Sequence, residues 1–172
     1  MPKKNPASRP RLPRSPARRA VSVPKAADTR AYTSREAAEI SGVPFFTIDY
    51  WGRTKFLSPT VAPGRGRGKG RQRMYSYGDV IRLRIARELR DQNVSLETLR
   101  TVVQKLAGVE AELAGAHFVL VGRTVELAGS TAELLAILRR AGRPTFGVIL
   151  DLRSLTRAVR SRARELAAAP KS

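Results

Sequence analysis

Residues 33–54 hold two helix starts and one helix stop so close together that few folds can accept them. Thr33-Ser34-Arg35-Glu36 has the spacing of a capping box, in which a threonine hydroxyl and a glutamate carboxylate satisfy each other's exposed backbone amides. Ala37, Ala38 and Ile40 give the following helix a small apolar face, and Ser41-Gly42 ends it, because glycine takes the left-handed cap at little cost. Val43-Pro44 opens a second helix with proline at its first position, running from Phe45 to about Arg53. Two helices joined by a short turn containing glycine form the helix-turn-helix pattern, whose second helix lies in a major groove.

On that second helix Thr47, Tyr50, Trp51, Arg53 and Thr54 offer hydroxyls, ring edges and a guanidinium to phosphates or bases, while Phe46 and Ile48 are expected to pack inward. Trp51 has a second reading as a core residue, the more common fate of tryptophan at helical spacing. A short strand is expected over residues 56–61, returning as Gln72-Arg73-Met74-Tyr75. The hairpin tip between them alternates glycine with Arg65, Arg67, Lys69 and Arg71. Glycine lets backbone approach phosphate closely, and each cation can release a condensed counterion. Such a wing positions a protein on a duplex and carries little base information. The Gly-x4-Gly-Lys-Ser/Thr spacing of a Walker phosphate loop is absent. Ser76-Tyr77-Gly78-Asp79 then caps a helix that buries Val80, Leu83, Ile85, Ala86 and Leu89 and closes at Asn93. Ser95 caps another, with Leu96, Leu99, Val103 and Leu106 at helical spacing, and the pair forms a hydrophobic brace.

Composition points the same way. Lys and Arg number 33 against 14 Asp and Glu, a formal net charge of +19 over 172 residues, which favours a polyanionic partner, nucleic acid first and an acidic membrane surface as its competitor; with the helix-turn-helix pattern, double-stranded DNA is the expected partner. Residues 1–30 are rich in arginine, lysine and proline, with Asp28 the sole acid, so they are expected to be a disordered arm. That arm either tracks phosphates or a minor groove, or is a solvated linker. The absence of cysteine excludes disulfides and thiolate zinc sites, and the single histidine, His117, excludes a His-rich metal site. No cofactor is expected. Neither a secretory signal nor an apolar run long enough to span a bilayer is visible, so a cytoplasmic, nucleoid-located protein without membrane contact is expected. No catalytic constellation is present, and an enzyme is not expected.

From Tyr32 to Leu106 this order of motifs resembles the MerR family of bacterial transcription regulators. The resemblance rests on Tyr32-Thr33 with the paired Ala37-Ala38 and Gly42-Val43, on the stretch from Thr47 to Pro59, on the wing return from Gln72 to Ser76, and on the helix pair from Asp79 through Leu96. It implies that Tyr50 and Trp51 stand where the family's paired aromatics contact DNA, and that Arg73 and Tyr75 match its wing contacts. Thr33 and Arg35, at the start of the first helix, complete the candidate DNA-binding set. Asp49 stands where many members carry arginine. Ile48-Asp49-Tyr50-Trp51 followed by Arg53-Thr54 is similar to an actinobacterial-type branch without an obvious metal or drug effector, and the missing cysteine ligands speak against metal sensing. The resemblance further implies a homodimer that binds a pseudo-palindromic promoter site and untwists or bends its spacer so that RNA polymerase can engage.

After Gly108 the chain changes character. Residues 117–127 read as a hairpin turning at Gly122-Arg123, and Ser130 to Glu133 as a capping box. Leu134, Leu135, Ile137 and Leu138 drive a helix ending at Gly142, with Arg139 and Arg140 near its negative end, and residues 145–150 form a third strand. Asp151 caps a last helix whose Leu152, Leu155, Val159 and Leu166 line up opposite Arg153, Arg157, Arg160 and Arg164. The arginine stripe reads as a solvated face and His117 as a strand-end residue. A unit of roughly fifty residues is near the lower limit for an independent core, so it is expected to bury surplus apolar surface in a partner. A second copy is the leading candidate and a ligand-binding role the rival.

The expected fold is mainly α with a β wing. A disordered basic arm (1–30) precedes a winged helix-turn-helix domain (31–107), a small α+β unit for dimerisation or effector binding (115–168) and a tail (169–172). The expected function is a DNA-binding transcriptional regulator. Two alternatives stand beside it: an excisionase-like or nucleoid-associated architectural protein, and a protein-interaction adaptor acting through the C-terminal unit.

Overall fold

A computed structural model describes residues 30–62, 72–107, 115–142 and 147–169. Strand β1 (Tyr32–Thr33) leads into helices α1 (Ser34–Ser41) and α2 (Phe45–Arg53); β2 (Met74–Tyr75), α3 (Tyr77–Asp91) and α4 (Leu96–Lys105) follow. The C-terminal part runs β3 (His117–Val121), β4 (Thr124–Ala128), α5 (Thr131–Ala141), β5 (Gly147–Asp151) and α6 (Leu152–Ala168). The hairpin tip and most of the N-terminal arm lie outside the described residues.

The capping box at α1 is present. The Glu36 amide donates to the Thr33 hydroxyl at 3.2 Å, and the Thr33 amide donates to the Glu36 carboxylate at 2.8 Å. Gly42 ends the helix at φ 72°, and its carbonyl accepts from the Arg87 guanidinium of α3 while Arg84 reaches the Ser41 carbonyl at 3.5 Å. The left-handed backbone is what favours glycine here, and a Cβ would also push the Arg87 guanidinium aside. Pro44 is the N-cap of α2, one position before the first helical residue where it was expected.

The expected strand over residues 56–61 does not form. The Phe56 amide instead donates to the Trp51 carbonyl at 2.9 Å, and the chain turns Phe56 and Leu57 into the core, with the Phe56 and Trp51 rings 4.9 Å apart. Consecutive apolar residues gain more by burial together than by the alternating exposure of a half-buried strand. Among the described residues, pairing near the wing base is one bridge, Ala62 opposite Met74. The strand partner of β2 is β1, with Tyr32 opposite Tyr75 and Thr33 opposite Met74.

Helix α3 is the central beam, with Val80, Ile81, Leu83, Ile85, Ala86 and Leu89 buried. Its capping residue Asp79, also buried, accepts at one oxygen from the Ser76 amide and from the amide and hydroxyl of Thr60, each at 2.8 Å; its other oxygen pairs with Arg82. Asp79 thereby ties the chain entering the wing to the start of α3. In α4, Leu99, Val102, Val103 and Leu106 are buried, but Leu96, expected inside, sits in the first turn and is exposed.

Strands β4, β3 and β5 form an antiparallel sheet in that order, the β3–β4 hairpin turning at Gly122-Arg123. Alternation divides its two faces. Val119 and Ala128 pack with Ile137 of α5, whereas Leu135, expected to help bury that helix, is exposed. Phe118, Leu120 and Val148 join Leu152, Leu155 and Val159 of α6 in the same cluster as Ile40, Leu83 and Leu99. The apolar stripe of α6 is therefore covered by α1 and α3 of its own chain. Polar ties reinforce the contact: Arg162 lies 3.6 Å from Glu39, and the Tyr77 hydroxyl donates to the Thr156 carbonyl at 3.2 Å. At α5 the Glu133 carboxylate accepts from the Gly129 amide, leaving the expected capping box with the Ser130 half alone.

Candidate nucleic-acid interface

Helix α2 has two clear sides. Ile48 and Trp51, three residues apart, are buried at 0% and 6% exposure and anchor it against the core. At 100° per residue, position 46 points away from position 48, and Phe46 is 83% exposed. Tyr50, one turn on, is 56% exposed, and Arg53 also reaches solvent. Phe46, Asp49, Tyr50 and Arg53 thus share the outward face, an aromatic and polar surface at the position a reading helix would present to a groove.

Phe46 was expected to pack inward, and the structure reverses that assignment. The phase set by Ile48 and Trp51 was the available signal, since a helix cannot bury positions 46 and 48 against one surface. Of the residues expected to contact DNA, Tyr50 and Arg53 lie on this outward face and Thr47 is half-buried beside it. Trp51 is a core residue, and its ring packs on Phe56. Tyr75 is fully buried, and burial raises its phenol above the ordinary value of 10.0. Thr33 caps α1 and is half-buried. Arg35 is exposed with its guanidinium 5.9 Å from the Phe45 ring centroid, bordering an open groove of about 510 Å³ with Glu39 and Gly42. Arg65, Arg67, Lys69 and Arg71 lie outside the described residues.

Arg73 approaches this face from the strand side. Its Nη1 lies 2.5 Å from Oδ1 of Asp49, and its stem passes over Gly52, where a Cβ would meet Arg73 Nε at 3.0 Å. Arg53 reaches the other Asp49 oxygen at 3.1 Å. Asp49 is therefore a bridging carboxylate between helix and wing, a role not evident from its position in the sequence. Arg30 is fixed to the same body through Glu36 at 2.8 Å and stands 5.3 Å from the Tyr32 ring centroid. Burial pushes the Glu36 carboxyl up, but the Thr33 amide and hydroxyl and the Arg30 guanidinium outweigh it and hold its pKa below the ordinary 4.5.

Among the described residues no group of three or more His, Cys, Asp or Glu could hold a metal ion, and no helix is long and apolar enough to cross a membrane. An outward-facing second helix, a glycine turn capped by arginines from α3, and a two-stranded base define a winged helix-turn-helix protein. Residues 32–106 match the MerR HTH family regulatory protein profile, so this stretch is similar to the helix-turn-helix of that family. Over 75 residues the chain is 33% identical to uncharacterized HTH-type transcriptional regulators of Mycobacterium bovis and Mycobacterium tuberculosis. That alignment covers 44% of this chain and 32% of each relative, so the chain matches about a third of the length of those proteins.

Proposed function

We propose that this protein is a DNA-binding transcriptional regulator that reads a duplex with the outward face of α2. The observation that carries this reading is the placement of Phe46, Tyr50 and Arg53 on one solvent-facing side of a helix whose other side is locked by Ile48 and Trp51. A rigid helix holds its contacts in register, which base readout requires. The names of the mycobacterial relatives support the same class. Arg53 at the end of that face, with Thr33, Arg35, Thr47, Arg73 and the wing cations Arg65, Arg67, Lys69 and Arg71, is assigned to phosphate positioning, while Trp51 and Tyr75 act by supporting the reading head.

The protein binds as a homodimer on a pseudo-palindromic promoter site, distorting it for RNA polymerase, because two heads at fixed separation match two half-sites. The described apolar surface left for a second copy includes Leu135 of α5 and Ile149 of β5, both about half exposed, on the side of the sheet that α5 partly covers. Action in the cytoplasm, at the nucleoid, follows from a DNA target. Selection from a randomised duplex library followed by footprinting tests the reading. A single enriched inverted repeat supports regulation, whereas uniform coverage without enrichment supports an architectural role.

A further inference from the structure

The outward face of α2 is cationic at its end, yet its central charge is negative. Asp49 is half-exposed, and its two oxygens take the guanidiniums of Arg53, from the same helix, and Arg73, the residue just before β2. A carboxylate receiving two guanidinium groups presents the acceptor geometry of a phosphate. The Arg53 side of this cluster is exposed and the Arg73 side partly covered, and ion pairs open to solvent are weak and yield to a competing anion. The same carboxylate repels any phosphate that approaches without displacing it.

We propose that Asp49 is a specificity-determining residue: an internal stand-in for a DNA phosphate that keeps Arg53 and Arg73 paired until a correctly seated backbone takes them over. The inference rests on the DNA-binding reading of α2. A duplex in the wrong register meets a cluster of two cations already partly neutralised, so its binding is weakened. A duplex in the right register offers phosphates to both arginines together with groove contacts from Phe46 and Tyr50, and there the carboxylate is overcome. Asp49 thus lowers random-sequence affinity more than specific affinity. Gly52 is part of the device, because the Arg73 stem reaches Asp49 by crossing the space a side chain would fill.

The test compares the full chain with Asp49→Asn and Asp49→Glu on the selected site and on random duplex across a salt series. Asp49→Asn is expected to raise random-duplex affinity roughly five-fold, the effect of one unit charge at about 4 Å in water. It should steepen the log–log salt dependence by about 0.9, one phosphate's counterion, and lower the ratio of specific to random binding. Asp49→Glu keeps the charge and should retain the wild-type slope. An unchanged ratio and slope in Asp49→Asn, or weaker binding to both duplexes with a lower melting temperature, would overturn the inference and leave Asp49 as a strut for Arg73. Failure of the wild-type chain to bind any duplex would instead remove the DNA-binding reading itself, and this inference with it.

Discussion

The Tyr77 hydroxyl, at the first turn of α3, donates to the Thr156 carbonyl of α6 at 3.2 Å, so the helix that starts the brace also holds the last helix of the chain. With Leu155 and Val159 in the same cluster as Leu83, head and C-terminal unit share one core. Tyr77→Phe should therefore lower global stability by about 0.5–1.5 kcal/mol, the net effect of one hydrogen bond. Urea unfolding should show Trp51 fluorescence and far-UV circular dichroism changing together; separate transitions would show that the two parts unfold independently.

Asp79 receives three hydrogen bonds at one oxygen and Arg82 at the other, all without solvent access to its side chain. Asp79→Ala removes one half of the buried Arg82 ion pair together with three hydrogen bonds, and should destabilise the fold by about 3–5 kcal/mol. Thr33→Ala, which removes a half-buried cap, should cost about 1 kcal/mol. Denaturant midpoints of the two variants measure the difference.

Tyr50 and its neighbour Trp51 have adjacent numbers and opposite roles. Tyr50→Ala should leave the melting temperature near wild type while weakening DNA binding, because its ring is exposed. Trp51→Ala should cost about 3–5 kcal/mol of stability by opening a cavity beside Phe56. Thermal melts alongside duplex titrations separate the two.

The lowered pKa of Glu36 makes part of the stability depend on pH. Folding favours the ionised form, so this contribution is complete above the unfolded-state value near 4.5 and is lost as pH falls through the lower folded-state value. Glu36→Gln should be less stable than wild type at pH 7, and the gap should narrow as pH drops below about 4.5, as read from urea midpoints along a pH series.

Much of this was legible in the sequence. The capping residues Thr33, Ser76, Ser95, Ser130 and Asp151 each open the helix expected of them, because a cap is a local hydrogen-bond pattern. The hairpin at Gly122 and the buried stripe of α6 were equally local. What escaped depended on long-range packing. Residues 56–61 have a strand's composition, but Trp51 supplies an apolar surface that draws Phe56 and Leu57 inward. Phe46 is apolar yet faces solvent, because Ile48 and Trp51 set the phase of α2. The double pairing of Asp49 needs Arg73, 24 residues away, and no spacing rule connects them. Where the α6 stripe packs is likewise a matter of tertiary contact: its periodicity shows that it must be covered, not by what.

The central claim is that the Phe46, Tyr50 and Arg53 face reads sequence in a duplex. The most direct measurement is a competition titration of the full chain at physiological ionic strength, setting its library-selected site against the same duplex with scrambled half-sites. The account predicts a preference of about a thousand-fold or more, within the range of specific DNA-binding proteins, and its collapse in Tyr50→Ala. Equal affinity for the two duplexes, or a preference that Tyr50→Ala leaves intact, would contradict it.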